Sequence, residues 1–281
     1  EERLKKCRKR VVGIIPVHIG GMMVNMEEVN KFAQKHNLWV VEDAAHSFPA
    51  GWRKSEKDEW RICGSGDSEV TCFSFYANKT ITTGEGGMAT THREELAERM
   101  RIMSLHGISK DAWKRFSSSG NWYYEIVAPG FKYNLTDVAA SIGIHQLKKA
   151  ELFRKKREEV AKRYNEGMKS IEEIELPPED INRIHSWHLY YIKLNLEKLS
   201  INRSEFIDKL KERGVLTSVH WMPLHMHPYY KKVYGYEESD FETASKVYYR
   251  LISLPIFPDL KDEEIDYVIE NVRRICEECR N

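Results

Sequence analysis

Val11-Val-Gly-Ile-Ile-Pro-Val17 and Leu38-Trp-Val-Val-Glu42 flank Asn25-Met-Glu-Glu28 and the segment that follows it to about His36. This stretch decides the fold class. Both apolar runs are short and rich in β-branched residues, which is how strands buried on both faces read. Asn25 with Glu28 three residues later is the sequence form of a capping box, so the segment between the runs opens as a helix. Strand, helix and strand in succession make a βαβ unit, and such units build parallel sheets with right-handed crossovers.

Working outward, Val70–Tyr76 reads as a third strand and Gly87–Thr91 as a fourth. Thr91 with Glu94 caps a helix to about Ser104. From Gly107 to Tyr133 no period holds, and Gly, Ser, Trp and Tyr alternate as in a long functional loop. Thr136 caps a long helix expected to reach Met168, and Pro177-Pro178 breaks the chain. Beyond it, Trp187–Leu194 reads as a strand, Ser204–Arg213 as a helix stopped by Gly214, and Val215–Trp221 as a strand. Helices follow near Phe241–Leu251 and Asp262–Cys279. The expected architecture is α/β: a three-layer large domain over residues 1–170 with a mostly parallel sheet, and a smaller α/β domain over 171–281.

The chain has 281 residues, 41% hydrophobic and 31% charged, in the range of globular proteins. A net charge of +1 gives no general attraction to nucleic acid or acidic membranes, so partners are sought in a specific pocket. No apolar run is long enough for a membrane helix and no signal peptide stands at the start, which makes the cytoplasm the expected location. Five cysteines, Cys7, Cys63, Cys72, Cys276 and Cys279, do not suggest a disulfide framework. The chain starts at Glu1 without Met, passes through basic residues to Arg10, and enters an apolar run at once. It reads as beginning partway through a domain.

In open α/β sheets ligands bind at the C-terminal edge of the strands. Leu38–Glu42 delivers Asp43-Ala-Ala-His46 to that edge, and Val70–Tyr76 carries Ser74 and leads to Lys79 and Gly84-Glu-Gly-Gly87. An acid, an imidazole, a hydroxyl and a lysine together suit an aldehyde cofactor with a phosphate tail. Lysine condenses with the aldehyde, a carboxylate keeps a pyridine nitrogen protonated, and a hydroxyl binds phosphate. Taken singly, Asp43 reads as a cap, Lys79 as a surface lysine, Ser74 as a packing residue and His46 as a satisfied loop histidine.

Glu42-Asp-Ala-Ala-His46, Cys72-Phe-Ser-Phe-Tyr-Ala-Asn-Lys79 and Gly84-Glu-Gly-Gly87 resemble the signature of the DegT/DnrJ-type sugar aminotransferases. The likeness continues through Pro16-Val-His18, Ser104-Leu-His-Gly107, Gly130-Phe-Lys-Tyr-Asn134, Ile142–Leu147, Trp187-His-Leu189, Val219-His-Trp221 and Ser253-Leu-Pro255. His106-Gly107, Asp111-Ala-Trp113 and Ala128–Asn134 look like the branch that makes UDP-4-amino-4-deoxy-L-arabinose. The resemblance implies an aspartate-aminotransferase-type fold, pyridoxal 5'-phosphate as cofactor, and transfer of an amino group from glutamate to a keto-sugar nucleotide. It implies Lys79 as the residue that carries the cofactor and moves protons. Asp43 would pair with the pyridinium nitrogen, His46 would lie by the ring oxygen, and Ser74 would bind the phosphate. Asn134 would reach the phosphate of a neighbouring subunit, implying a homodimer with shared sites, and His220 and Trp221 would face the sugar. Family members carry a further N-terminal segment with a phosphate-binding turn, and Glu1–Arg10 holds no equivalent. The alternative is therefore a non-catalytic or truncated homologue acting as a binding or regulatory protein.

Other motifs carry less. Cys276-Glu-Glu-Cys279 has a metal or redox spacing but no second pair. His185, His188, His220, His225 and His227 could serve a zinc hydrolase, yet His185 and His188 at a strand start point to opposite faces. No metal is expected. Trp113, Trp122, Tyr123 and Tyr124 read as loop packing or sugar-pocket lining, and Arg8-Lys-Arg10 as a solvated end.

Overall fold

The computed structural model describes residues 1, 4–5, 9–66, 68–109 and 123–281. Cys7, Arg8, Asp111-Ala-Trp113 and Trp122 lie outside the described residues. The chain forms two compact units. The first comprises Glu1–Glu151 with Asn182–His185, the second Leu152–Ile181 with Ser186–Asn281. The division thus falls after Glu151, where the sequence reading placed one boundary at 170/171.

In the first unit the order is β1 (Gly13–Ile14), α1 (Met26–His36), β2 (Trp39–Asp43), β3 (Gly51–Trp52), β4 (Arg61–Ile62), β5 (Val70–Ser74), β6 (Gly87–Thr90), α2 (Glu94–Ser104) and α3 (Asp137–Leu147). One sheet runs β1-β2-β5-β6, with the first two pairings parallel and β6 antiparallel to β5. The sequence expectation of a mostly parallel α/β sheet holds. Asn25 caps α1 as its spacing predicts, accepting the Glu28 N–H, and Asn37 closes the helix in the left-handed region. Of the run Val11–Val17, Gly13–Ile14 forms the strand and Val17 adds an isolated parallel bridge to Asp43, with Pro16, which has no N–H for the ladder, between them. Gly13 also lies against the Trp39 indole, where a Cβ would come within 2.1 Å of the ring. The core of this unit gathers Met23, Met26, Ala33, Val40, Ala44 and Trp52.

The helix α2 begins at Glu94 with Arg93 at its N-cap. Thr91, expected as the cap, instead accepts the Arg93 N–H and donates to Glu69 O. A small antiparallel sheet, β4-β3-β8, uses β8 (Arg183–Ile184) and gave no period signal because each strand has two residues.

Helix α4 (Ala150–Met168) leads into the second unit. The single helix expected from Thr136 to Met168 is therefore interrupted. Lys149 N–H turns back to Gln146 O at 3.0 Å, a tighter turn that ends α3 just before the unit boundary. In the second unit β7 (Ile174–Glu175), β9 (Tyr190–Leu194) and β10 (Leu251–Leu254) form an antiparallel sheet in the order β10-β9-β7. It packs with α4, α5 (Arg203–Glu212) and α8 (Asp262–Glu278) around Tyr164, Tyr190, Ile192, Phe206, Ile252 and Val272. Asn202 and Glu205 form a full capping box at the start of α5. Val215–Trp221, expected as a strand, makes one bridge, Ser218 with Ser253. The alternation itself holds, with Val215 buried and Leu216 71% exposed, but the segment finds no partner edge beyond that one bridge. The helix expected over Phe241–Leu251 is shorter, with α6 (Pro228–Tyr234) before it and α7 (Glu242–Tyr248) in its place, and β10 takes the remainder.

Candidate active site

Asp43 is the last residue of β2 and is held on both sides. Its N–H donates to Pro16 O at 2.9 Å, its carbonyl accepts His18 N–H at 3.1 Å, and the following Ala44 N–H donates to Cys72 O at 2.9 Å. Its Oδ1 accepts the Ala45 N–H at 3.1 Å, which turns the carboxylate at the strand's C-terminal end. His46 is buried two turn residues further on, and its Nδ1 accepts the Gly20 N–H at 3.2 Å. That bond puts the proton of the neutral ring on Nε2. Gly20 and Gly21 have φ of 71° and 110°, a left-handed turn that favours glycine.

Ser74 ends β5, on the same face as Cys72 by the strand period, and its Oγ accepts the Tyr76 N–H at 3.4 Å. Lys79 sits in the connection from β5 to β6, where its N–H closes a turn on Tyr76 O at 3.0 Å. The glycines after it fold this connection back. Phe75 N–H donates to Gly86 O at 2.9 Å, and a Cβ on Gly87 would meet Phe73 O at 2.7 Å.

Burial pushes the Lys79 ammonium below its ordinary pKa, and the Asp43 carboxylate partly opposes this. Burial pushes the Cys72 thiol up, with the same carboxylate adding to the rise. Asp43, Cys72 and Lys79 therefore share one electrostatic neighbourhood, as the spacing of their strands leads one to expect.

Asn134 is placed elsewhere in this unit. It follows a segment bonded to the end of α2, with Tyr133 N–H on Ser104 O at 2.8 Å, and it accepts from Lys132 Nζ at 2.5 Å. It lines a cavity of about 490 Å³ with Thr83, Gly86 and Gly87, to which Asp43, His46, Ser74 and Lys79 do not contribute. His220 and Trp221 belong to the second unit. His220 Nδ1 lies 2.8 Å from Ser253 Oγ, and the half-exposed Trp221 indole stands edge-on to the His220 ring at 4.9 Å.

Sequence reasoning missed one buried group beside Asp43. His18 Nε2 lies 2.7 Å from Glu42 Oε2, and both side chains are excluded from solvent. The available signal was an acid inside the apolar run Leu38–Glu42, since a buried carboxylate requires partners. Among the described residues, His18, Glu42 and Cys63 are the one set of three whose ligating atoms lie within 4.8 Å of each other. The second-half histidines form no such set among the described residues. His185, buried in the first unit, is pushed down to about 3 by that burial and stays neutral.

The model of the DegT/DnrJ/EryC1/StrS aminotransferase family matches residues 4–273. The chain belongs to the DegT/DnrJ/EryC1/StrS aminotransferase family. It is 50% identical over 280 residues to the uncharacterized protein MJ1066 of Methanocaldococcus jannaschii, covering 100% of this chain and 71% of that protein. It is 46% identical over 267 residues to the spore coat polysaccharide biosynthesis protein SpsC of Bacillus subtilis, covering 95% of this chain and 67% of SpsC. The solved structure of Spr1654 from Streptococcus pneumoniae in its PLP form superimposes with a TM-score of 0.82 at 28% identity, covering 95% of this chain and 69% of that one. The fold is that of the fold-type-I sugar aminotransferases, and pyridoxal phosphate is the cofactor of this enzyme class. The residues present suit it: an amine for an aldehyde, a carboxylate for a ring nitrogen, and a hydroxyl with a neighbouring backbone N–H for a phosphate. Among the described residues no helix is long and apolar enough to cross a membrane.

Proposed function

We propose that this chain carries the chemistry of a pyridoxal-phosphate-dependent aminotransferase that moves an amino group from glutamate to the keto carbon, at C4, of a nucleotide-linked sugar. The product would serve amino-sugar, cell-envelope polysaccharide or lipid A synthesis in the cytoplasm. One observation carries the reading: the Asp43 carboxylate at the end of β2 acts electrostatically on Lys79, which follows the adjacent parallel strand β5, at the sheet edge where ligands bind. The relation to SpsC supports a polysaccharide pathway.

The cofactor supplies an electron sink for the charge left when a carbon loses its proton. The chain's own residues supply the rest. Lys79 Nζ is the amine that would hold the cofactor's aldehyde carbon, and as a free amine it would take the α-proton of the amino donor as base and return it as acid. Its burial favours the uncharged amine that the base step needs, and the proton taken there makes it the acid for the return step. Asp43 holds a proton on the ring nitrogen, and His46, with Nδ1 occupied by Gly20 N–H, presents a ring whose proton is on Nε2. Ser74 Oγ binds phosphate, and Asn134 reaches the phosphate of the other subunit in a homodimer. The assignment of His220 and Trp221 to the sugar rests on the family likeness of Val219-His-Trp221 alone.

Mixing pure protein with pyridoxal phosphate is expected to give a visible absorption band, which glutamate then bleaches as the cofactor takes up the amine. Lys79→Ala is expected to abolish the band. A band unchanged in that variant removes Lys79 from its role. A wild-type band that glutamate leaves untouched would favour a non-catalytic binding protein.

A further inference from the structure

Beneath Asp43 lies a closed set of hydrogen bonds that the transamination chemistry does not use. His18 is fully buried, and its Nδ1 accepts Val24 N–H at 3.3 Å, which leaves Nε2–H to donate to Glu42 Oε2 at 2.7 Å. The other oxygen of Glu42 accepts from Ser68 Oγ at 2.6 Å and Thr71 Oγ1 at 3.3 Å. Both carboxylate oxygens thereby accept from protein donors, as a buried carboxylate requires. Burial pushes Glu42 up, but the hydrogen bonds from His18 and Ser68 outweigh it and hold the group below its ordinary value.

The residues this set fixes are those of the candidate site. His18 belongs to the segment Pro16–Gly21, which carries Pro16 O and His18 N–H, the two backbone partners of Asp43, and Gly20 N–H, the partner of His46 Nδ1. Glu42 precedes Asp43 on β2, so the two carboxylates lie on opposite faces of one strand. One side-chain bond, His18 to Glu42, therefore ties the segment that aims the site's acid and imidazole to the strand that bears the acid.

We infer that His18 and Glu42 are positioning residues for cofactor binding, which set where the Asp43 carboxylate and the His46 ring stand without touching the cofactor. The inference rests on the proposed site above. A buried metal centre is the competing reading of His18, Glu42 and Cys63. It is disfavoured because the Cys63 thiol is pushed up to about 12 by burial, despite a hydrogen bond with Ser47, and both Glu42 oxygens are engaged by protein donors.

The test uses the full chain loaded with pyridoxal phosphate. It reads the dissociation constant of the cofactor and the pH midpoint of the visible band. His18→Leu is expected to weaken cofactor binding by about tenfold or more and to move the midpoint by about one unit, the scale of losing an outer supporting hydrogen bond. His18→Gln, which keeps an N–H near the place of Nε2, is expected to recover most of both. Val29→Ala, which loosens packing in the same unit away from the set, is expected to lower the melting temperature and leave the midpoint in place. If His18→Leu does not fold, Glu42→Gln is read instead, since it keeps the shape and removes the charge. A folded His18→Leu or Glu42→Gln with both readouts at wild-type values overturns the inference. So does a midpoint that moves equally in Val29→Ala, or stoichiometric zinc whose removal reproduces the His18→Leu phenotype. Lys79→Ala separates the two levels. If it keeps the band, the site reading itself has failed; if it loses the band while the His18 variants match wild type, only the positioning role has.

Discussion

Replacing Gly107 with alanine tests how the segment bearing Asn134 is held. Gly107 has a φ of +69°, and a Cβ built on it would lie 1.8 Å from Ala128 O and 3.1 Å from Gly130 N. The facing Gly130 would in turn bring a Cβ within 2.0 Å of Gly107 N. Two backbones thus cross with no room for a side chain on either. Around the crossing, His106 N–H donates to Phe131 O and Phe131 N–H to Met103 O, both at 2.7 Å, and Val127 N–H donates to Gly107 O at 2.8 Å. The left-handed conformation costs an L-residue about 1 kcal/mol relative to glycine. The crossing adds a displacement of rigid backbone, and forced repacking of this kind costs about 1–3 kcal/mol. Gly107→Ala is therefore expected to lose about 2–4 kcal/mol. Gly84→Ala provides the comparison, because Gly84 has a φ of +79° but no atom within 4 Å of its Cβ position. It should lose only the conformational part, about 1 kcal/mol. Urea unfolding with amide exchange at Ile108, Ser109 and Val127 measures both variants. Equal losses in the two, with exchange at those amides unchanged in Gly107→Ala, would refute the steric argument.

Thiol chemistry should separate the described cysteines. Cys72 is exposed, whereas Cys63 and Cys276 are buried and pushed up to about 12, chiefly by that burial. A maleimide at mildly alkaline pH should label Cys72 first, and pyridoxal phosphate should protect it because it shares the face of Asp43 and Ser74; peptide mass spectrometry showing Cys63 labelled as quickly would contradict this. Acid stability should report on Glu42. Its folded pKa lies below the ordinary 4.5, so its contribution is complete above that pH and is lost as pH falls through the lower folded value. Glu42→Gln should be less stable at neutral pH yet lose less between pH 5 and the acid transition, as thermal melts across pH would show; parallel acid limbs for the two proteins would count against it.

Local chemistry made several elements legible. Asn25 and Thr136 cap the helices they precede, as their spacing predicts, because a short side-chain acceptor satisfies N–H groups within its own turn. Thr91 did not cap its helix, because its oxygen accepts the N–H of Arg93, the residue that itself stands at the N-cap. The strands that deliver Asp43 and Lys79 were likewise visible as apolar runs ending in polar residues.

What the sequence by itself determined, then, was the βαβ frame and the family motifs, since each is written within a few consecutive residues. Only the tertiary structure decided where the helix from Thr136 breaks, since α3 and α4 are both good helix formers and the interruption at Lys148-Lys149 lies beside the boundary of two separately packed units. It alone decided that Val215–Trp221 pairs at a single residue, since strand formation depends on a partner edge that no local pattern records. It also alone joined His18 to Glu42, 24 positions apart. The need of a buried carboxylate for donors can be read from one chain segment, but which donor meets it is fixed by the packing of another.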